Sequence, residues 1–313
     1  MDDKKTGIRQ NLTNYGDLGF STFLRKSFIK GLGYSDEMLD KPIVGIINTF
    51  SNYNSCHGNV PDLIQSLRAG VLAKGAIPLE FPTISVHEAF TYPTSMYLRN
   101  LMAMDTEEMI RAQPMDSCVL IGGCDKTVPA QLMGALSVDM PIVQLVTGPM
   151  LTGSHRGERV GACTDCRRLW AKFRAEEIDQ EEIAEANNQL VPTVGTCGVM
   201  GTASTMAMIA ETLGLMPPDS SCAPAVSSER RRIAEFTGEI AVEIATLKRR
   251  PSSILSAKSF ENALIVLLAI GGSTNGLVHL TAIAGRMGIQ LDMDSFDALS
   301  RDIPVIVDLK PSG

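Results

Sequence analysis

Short apolar runs alternate along the chain with longer segments whose apolar residues recur at helical spacing. Val60, Ile64, Leu67 and Val71, for example, fall on one face of a helix. Strands are predicted over residues 43–47, 79–81, 118–121, 142–146 and 305–307. Helices are predicted over residues 60–71, 94–113, 128–137, 181–189, 202–213, 227–248 and 260–269. This alternation predicts an α/β fold with a parallel or mostly parallel sheet flanked by helices.

The first 30 residues lack this alternation. We therefore predict an irregular N-terminal arm over residues 1–30 and one α/β domain over residues 31–313. The opening residues MDDKKTGIRQ are charged and precede no apolar run, so no signal peptide is expected. No stretch reaches the roughly 18 apolar residues that a membrane span needs. We expect a cytoplasmic protein that does not bind membranes.

Composition narrows the class of partner. The 313 residues carry a net charge of -7 and are 44% hydrophobic, which is typical of a globular protein with a well-buried core. The chain has no basic stripe, which argues against nucleic acid as a partner. Seven cysteines, an odd number, in a chain without an export signal indicate reduced thiols, some of which could hold metal.

Polar motifs follow three of the predicted strands, over residues 48–58, 85–88 and 122–126. Ligands of open parallel α/β sheets bind at the carboxyl ends of the strands. The three motifs are therefore expected to converge in space although they are far apart in sequence.

Three cysteines stand in glycine-flanked, turn-like settings: Cys56 in SCHG, Cys124 in GGCDK and Cys197 in GTCG. Glycines allow close approach of the backbone to an inorganic centre and supply amide groups for its sulfides. Three thiolates could hold an iron–sulfur cluster and leave one iron open as a Lewis acid. The alternative is three buried structural thiols, which spacing alone favours because no compact cysteine motif is present.

The residues beside Cys124 suggest a second, harder cation. Asp125 and Lys126 follow it directly, and Glu88 follows the second predicted strand. Mg²⁺ prefers a few carboxylates and keeps open positions for water or substrate. The alternative for Asp125 and Lys126 is a solvated or capping pair before a helix.

Other candidates are weaker. Cys163 and Cys166 form a lone C-x-x-C motif, which could be a redox pair or half of a zinc site; without a second motif we interpret it as incidental. His57 and His87 adjoin the proposed ligands and are candidates for substrate contacts. His279, like His155, is interpreted as a structural histidine. The glycine-rich residues 271–276 could hold an anion at a helix N-terminus, although a Walker lysine is missing.

Eight stretches together resemble the dihydroxy-acid and sugar-acid dehydratase family. That family includes dihydroxy-acid, phosphogluconate, arabinonate and xylonate dehydratases. The stretches are NTFSNYNSCHGN, FPTISVHEAF, PTSMYLRNLM, IGGCDKTVPAQLMGA, CRRLWAKFRA, PTVGTCGVMGTASTM, AIGGSTNGLVHL and DLKPSG. They run through nearly the whole chain in the family's order.

The resemblance implies a role for six positions. Cys56, Cys124 and Cys197 match the ligands of an iron–sulfur cluster, which three cysteines would suit as [2Fe-2S] or [4Fe-4S]. Glu88 and Asp125 match Mg²⁺ ligands. Lys126 matches a catalytic lysine that becomes N-carboxylated, and its carbamate oxygens then also bind Mg²⁺.

The implied reaction is β-elimination of water from a small hydroxy acid, giving a 2-oxo-3-deoxy acid. Family members are nearly twice as long, and the resemblance assigns the serine base and a β-rich C-terminal domain to the part beyond Gly313. The chain is therefore expected to be an N-terminal part of the enzyme that is inactive alone. A homo-oligomer, dimer or tetramer, is also implied.

The motif GCDKT and the pair Glu88-Ala89 are more similar to the sugar-acid branch, whereas dihydroxy-acid dehydratases more often have GCDKN and Asp-Gly. His87 departs from both. Two alternatives stay open: a dihydroxy-acid dehydratase of branched-chain amino-acid synthesis, and a non-catalytic truncated paralogue that binds a ligand or a partner.

Overall fold

A four-stranded parallel sheet forms the centre of the chain. The computed structural model describes residues 6–12 and 14–311. The strands of the sheet are Ile43–Asn48 (β1), Ile77–Pro82 (β2), Ser117–Gly122 (β3) and Ile142–Val146 (β4). They are hydrogen-bonded in the order β2-β1-β3-β4, and each neighbouring pair is parallel. The predicted α/β fold with a parallel sheet is confirmed.

Helices connect the strands and continue beyond them. The first six are Leu18–Lys30 (α1), Asp36–Leu39 (α2), Val60–Ala73 (α3), Arg99–Ala112 (α4), Thr127–Val138 (α5) and Asp165–Arg174 (α6). The others are Gln180–Leu190 (α7), Thr202–Thr212 (α8), Ser228–Leu247 (α9), Ala257–Ala269 (α10), Thr274–Arg286 (α11) and Met293–Asp302 (α12). A short antiparallel hairpin, Gly153–His155 (β5) and Glu158–Val160 (β6), precedes α6. Each predicted helix is present, although the one predicted over residues 94–113 begins with the 3-10 turn Ser95–Leu98.

Both faces of the sheet are buried. Val44, Ile46 and Val119 pack on one face against apolar residues of α3 and α9. Ile47 and Leu120 belong to the opposite face, where the core includes residues of α4, α5, α8, α10 and α11. Strands buried on both faces have continuous apolar sequences rather than alternating ones, which explains the short apolar runs.

The helices α3 and α9 cross at two glycines. A Cβ atom on Gly70 would collide with the carbonyl oxygen of Glu235, and one on Gly238 would collide with that of Leu67. The close approach lets the two helices cover one face of the sheet together, and only glycine permits it.

Two expectations from the sequence are wrong. The predicted irregular arm contains α1, whose N-cap Asp17 accepts a hydrogen bond from the Phe20 amide. The pattern of apolar residues does not indicate this helix, because its apolar side chains do not form one buried stripe, and Phe23 and Phe28 are exposed. The boundary at residue 30 itself stays a prediction.

The second wrong expectation is the strand over residues 305–307. This segment is exposed and lies outside the sheet, and its Ile306 amide donates one hydrogen bond to the Ala269 carbonyl oxygen (2.8 Å). A short apolar run predicts a strand only if a neighbouring strand is available to pair with it.

Among the helices of residues 6–12 and 14–311, none combines the length and the apolar character of a membrane span.

Candidate metal centre

The three polar motifs converge at the carboxyl end of the sheet, as predicted. They occupy the loops that follow β1, β2 and β3. The backbone amides of Gly123 and Cys124 donate to the ring of His57, and the ammonium of Lys126 lies 3.4 Å from a carboxylate oxygen of Glu88. Three loops that are distant in sequence therefore form one site.

Cys56 lies on the 3-10 turn Ser55–His57, directly after β1. The side-chain oxygen of Asn54 starts this turn by accepting from the Cys56 amide at 3.1 Å. Cys56 is 3% exposed and Cys124 is 4% exposed. Two of the three predicted thiols are therefore shielded from solvent by the loops that hold them.

His57 connects the two cysteine loops. Its Nε2 accepts from the amides of Gly123 and Cys124, both at 3.1 Å, so the ring proton must be on Nδ1. The Nδ1–H group donates a hydrogen bond to the Thr49 carbonyl oxygen, 3.0 Å from Nδ1. Burial lowers the pKa of His57 to about 4, so the ring is neutral at physiological pH. The hypothesis that His57 contacts substrate is wrong, because the ring is fully buried and both nitrogens are used.

Cys197 reaches the site from a loop that pairs with the chain after β4. The Thr196 amide donates to the Gly148 carbonyl oxygen, and the Met150 amide donates to the Thr196 carbonyl oxygen, both at 2.9 Å. The Gly195 amide donates to the Ser55 carbonyl oxygen at 3.0 Å. Cys197 is thereby tied to the turn that carries Cys56.

The predicted thiols act on one another. The pKa of Cys56 is raised, first by its hydrogen bond with the Cys124 thiol and then by burial. The pKa of Cys197 is raised too, and the Cys163 thiol is the largest cause, ahead of burial and Cys124. The structure therefore brings all three predicted cysteines together and adds a fourth, Cys163.

Cys163 was not predicted at this site. Its Sγ lies 3.4 Å from the Sγ of Cys197, and its side chain is exposed. The sequence paired it with Cys166, because the two share a C-x-x-C motif. A sequence feature that could have indicated Cys163 is Gly161, two residues before it in GAC, since the other three cysteines also have glycines nearby.

A carboxylate pair adjoins the thiols. The Lys126 ammonium lies 2.5 Å from Asp125 Oδ2 and 3.4 Å from Glu88 Oε2. Glu88 Oε2 also accepts from the amide of Ser95 at 2.9 Å and from its hydroxyl. The two carboxylates are thus already arranged around a positive charge, which is what a divalent cation would need.

Neighbouring charges and hydrogen bonds set the pKa values of Lys126 and Glu88. Burial alone would lower the pKa of Lys126, but the hydrogen bond to Asp125 and the charges of Asp125 and Glu88 outweigh it, so the pKa is raised. Burial would raise the pKa of Glu88, but hydrogen bonds from Ser95 and Thr94 and the charge of Lys126 lower it. Lys126 and Glu88 are therefore both ionised at neutral pH.

Orphaned polar atoms lie beside the thiols. A Cβ atom on Gly123 would collide with the hydroxyl of Thr147 and the carbonyl oxygen of Cys56, so the backbone passes very close to both. The hydroxyls of Thr147 and Thr127 are buried and have no hydrogen-bond partner among the described residues. Unused donors next to gathered thiols fit a centre that contains acceptor sulfur atoms.

Among the described residues, no three or more His, Cys, Asp and Glu side chains are grouped so that they could hold one ion. This finding does not conflict with a cluster, since the cysteines of a cluster bind different irons and need not meet at one point.

Arg99 and His279 form a second feature that the sequence did not indicate. An Arg99 Nη atom donates to His279 Nδ1 at 3.0 Å, which joins the start of α4 to α11. Burial and the charges of Arg99 and Lys126 lower the pKa of His279 to about 3. His279 was predicted to be a satisfied structural histidine, but its Nε2 is buried without a partner among the described residues. Both residues lie in family-like stretches, yet no pattern in either stretch links them.

His87 and the glycine-rich residues 271–276 both cap local turns or helices, and a substrate contact by His87 stays a prediction. His87 Nδ1 accepts from the Ala89 amide at 3.1 Å and so caps the 3-10 turn that carries Glu88. In the glycine-rich residues 271–276, Ser273 caps α11, and its hydroxyl lies 2.9 Å from that of Thr202 at the start of α8. The predicted anion site at this N-terminus stays a prediction.

A cavity of about 540 Å³ opens beside Cys197. Its wall includes Gly123, Met150, Arg159 and Lys310. The cavity is large enough for a small organic acid and touches the thiol side of the site.

Comparison with known proteins agrees with the motifs. The family model described as dihydroxy-acid/6-phosphogluconate dehydratase N-terminal matches residues 41–313. A putative dehydratase of Rhizobium meliloti is 42% identical over 314 residues, which cover 100% of this chain and 54% of that protein. An L-arabinonate dehydratase of Rhizobium leguminosarum bv. trifolii is 44% identical over 96% of this chain and 52% of that protein. A dihydroxy-acid dehydratase of Natronomonas pharaonis is 36% identical over 92% of this chain and 49% of that protein.

The chain spans about half the length of the curated relatives that it matches. The match covers most of the chain, and it includes every residue of the site described above. The chain therefore belongs to the dihydroxy-acid/6-phosphogluconate dehydratase family.

Proposed function

We propose that this chain supplies the metal-binding part of a dehydratase that removes water from a sugar acid and yields a 2-oxo-3-deoxy acid. The observation that carries the proposal is the convergence of two ligand sets. Cys56 and Cys197 gather around Cys124 of the loop after β3, and Glu88 lies beside Lys126, which adjoins Asp125 in the same loop. Such a pair of soft and hard sites suits the elimination of a hydroxyl group from a hydroxy acid.

The three cysteines would hold an iron–sulfur cluster, either [2Fe-2S] or [4Fe-4S]. Burial, the glycine neighbours and the unused hydroxyl of Thr147 all fit this group. When bound, the cluster supplies a Lewis-acidic iron for the hydroxyl that leaves. The protein itself would keep water away from the cluster, because His57 and the backbone around Gly123 close the site on the side of the sheet.

Glu88, Asp125 and Lys126 would hold Mg²⁺. When bound, Mg²⁺ would make the proton on C2, the substrate carbon next to the carboxylate, more acidic. An ammonium cannot bind a cation, so Lys126 must first lose its proton and add CO₂ at Nζ to form a carbamate. The negative charges of Glu88 and Asp125 stabilise the protonated form of Lys126 and raise its pKa. A metal ion that neutralises them removes this preference, so carbamate formation and metal binding support each other.

Sugar acids are the preferred substrate class. The L-arabinonate dehydratase is 44% identical to this chain and the dihydroxy-acid dehydratase is 36% identical. The motif GCDKT and the pair Glu88-Ala89 point the same way. Arg159 on the cavity wall provides a cation that suits the carboxylate of such a substrate. The resemblance assigns the base that takes the proton to the half of the relatives that this chain does not span.

Substrate binding tests the proposal without requiring turnover. The chain is purified and reconstituted without oxygen, and L-arabinonate, D-xylonate and 2,3-dihydroxyisovalerate are titrated against the cluster spectrum. We expect the two aldonates to perturb the spectrum at lower concentration than the dihydroxy acid. The matched control is Glu88→Gln, which removes a charge from the Mg²⁺ site and should weaken the effect. A response to 2,3-dihydroxyisovalerate alone would assign the chain to the other branch, and a chain without iron would contradict the proposed metal centre.

A further inference from the structure

Cys163 has no role in the function proposed above. It lies in the loop between β6 and α6, and it is an exposed residue, whereas Cys56 and Cys124 are buried. The two cysteines of its C-x-x-C motif have different neighbours. Cys166 packs with Val160 and the helices α6 and α7 in a separate apolar cluster. Cys163 faces Cys197, with 3.4 Å between the sulfur atoms.

The loop holds Cys163 in this position by a buried carboxylate. Asp165 is 1% exposed, and its Oδ2 accepts from the Gly161 amide at 2.9 Å. Its other oxygen accepts from Arg168, and Lys310 contacts both oxygens. Cys163 has a φ of 76°, a left-handed conformation that a cysteine rarely adopts. The anchored turn imposes this conformation and aims the thiol at the metal centre.

The four thiols form two pairs. Cys56 and Cys124 are both buried and act on each other closely enough to raise the pKa of Cys56, and the Sγ atoms of Cys197 and Cys163 lie 3.4 Å apart. Two thiolates on one tetrahedral metal ion, with metal–sulfur bonds of about 2.3 Å, lie about 3.8 Å apart. The 3.4 Å between Cys163 and Cys197 is within a few tenths of an ångström of that separation. Two pairs of thiols match the ligand pattern of a [2Fe-2S] cluster, in which each iron takes two cysteines.

We propose that Cys163 is a fourth protein ligand of the cluster, bound with Cys197 to the iron that three cysteines would leave open. The inference rests on the cluster of the proposed function, and it selects [2Fe-2S] in the substrate-free protein. Cys56 and Cys124 hold the buried iron, and Cys163 and Cys197 hold the outer one. Because Cys163 is the exposed thiol of the four, it is the ligand that a substrate hydroxyl can replace, and its thiolate then takes a proton from solvent.

Cys163→Ala, in the full chain, tests the inference. Cys166→Ala is the matched control, because Cys166 belongs to the same motif but faces the apolar cluster. Each variant is reconstituted with iron and sulfide, and Mössbauer spectra are recorded. In the unaltered chain and in Cys166→Ala we expect two iron sites that both have four sulfur ligands. In Cys163→Ala we expect the same iron and sulfide content, with one of the two sites changed to a mixed sulfur and oxygen environment.

Alkylation gives a second measurement that does not depend on the spectrum. Cys163 should resist iodoacetamide in the loaded chain and react once the iron has been chelated. Identical spectra for Cys163→Ala and the unaltered chain would overturn the inference and leave the three-cysteine cluster intact. So would a Cys163–Cys197 disulfide, or zinc held by this pair. An unaltered chain that takes up neither iron nor sulfide would overturn the proposed metal centre as well, which separates the two failures.

Discussion

His57 organises the loops of the proposed metal centre although it is not one of the proposed ligands. Its Nε2 satisfies two backbone amides of the loop that carries Cys124, and its neighbour in sequence is Cys56. The ligand cysteines were predictable from glycine-rich motifs. The role of His57 was not, because it depends on which atoms surround a fully buried ring.

We predict that His57→Ala destabilises the fold strongly. The substitution leaves the amides of Gly123 and Cys124 buried without an acceptor, which should cost about 2–4 kcal/mol of unfolding free energy. Urea unfolding measures the change. His87→Ala is the control: this half-buried ring accepts one amide bond, from Ala89, and its loss should cost less than about 1 kcal/mol. Equal losses in the two variants would contradict the role assigned to His57.

Lys126 carries the prediction about the hard cation. With ¹³C-labelled bicarbonate and Mg²⁺, the chain should show a carbamate carbon signal by NMR, because the amine contacts the two carboxylates that we propose as Mg²⁺ ligands. Lys126→Arg keeps the positive charge but cannot form this carbamate, so the signal should vanish. A signal that persists in Lys126→Arg would place the carbamate on another lysine.

His279 makes stability depend on pH. Its folded pKa is about 3, below the unperturbed value of about 6.5. Between these values the unfolded chain binds a proton that the folded chain does not, so the unfolding free energy falls as the pH falls from about 6.5 towards about 3. The slope should approach 1.4 kcal/mol per pH unit for this group. His279→Gln should reduce the slope over this range, and an unchanged slope would show that His279 titrates normally in the fold.

At the scale of helices and strands, packing decides where the sequence pattern succeeds. Strands β1, β3 and β4 were found because each is an apolar run buried on both faces. Residues 305–307 have the same composition but lie outside the sheet. The helix α1 was missed for the opposite reason, since it buries only Ser21 among the residues of the helix.

The crossing of α3 and α9 gives a prediction at this scale. Gly70→Ala places a methyl group against the Glu235 carbonyl oxygen and should destabilise the fold by about 1–3 kcal/mol. Gly285→Ala is the matched control within α11, where a Cβ atom would meet nothing within 4 Å. Because alanine favours the helix, the control should be stabilised by about 0.5–1 kcal/mol. Thermal or urea unfolding distinguishes the two, and a neutral Gly70→Ala would show that the helices can separate at little cost.

At the scale of the whole molecule, the parallel sheet explains why the site exists. The loops after β1, β2 and β3 meet at one edge, so Cys56, Glu88 and Cys124 come together from separate parts of the sequence. The general location of the site follows from the carboxyl ends of a parallel sheet, which the sequence indicated. The positions of Cys197 and Cys163 follow from loops outside the sheet, and no periodicity of the sequence encodes those. The homo-oligomer implied by the family resemblance stays a prediction.

The most direct test of the account is the iron and inorganic sulfide content of the chain after anaerobic purification. We predict that the unaltered chain contains both, and that Cys56→Ala, Cys124→Ala and Cys197→Ala each lose most of the iron and sulfide. Cys222→Ala, which changes an exposed cysteine of the cavity wall that is not a proposed ligand, should retain them. A chain without iron and sulfide, or a Cys124→Ala variant that keeps both in full, would contradict the metal centre on which the proposed dehydratase function depends.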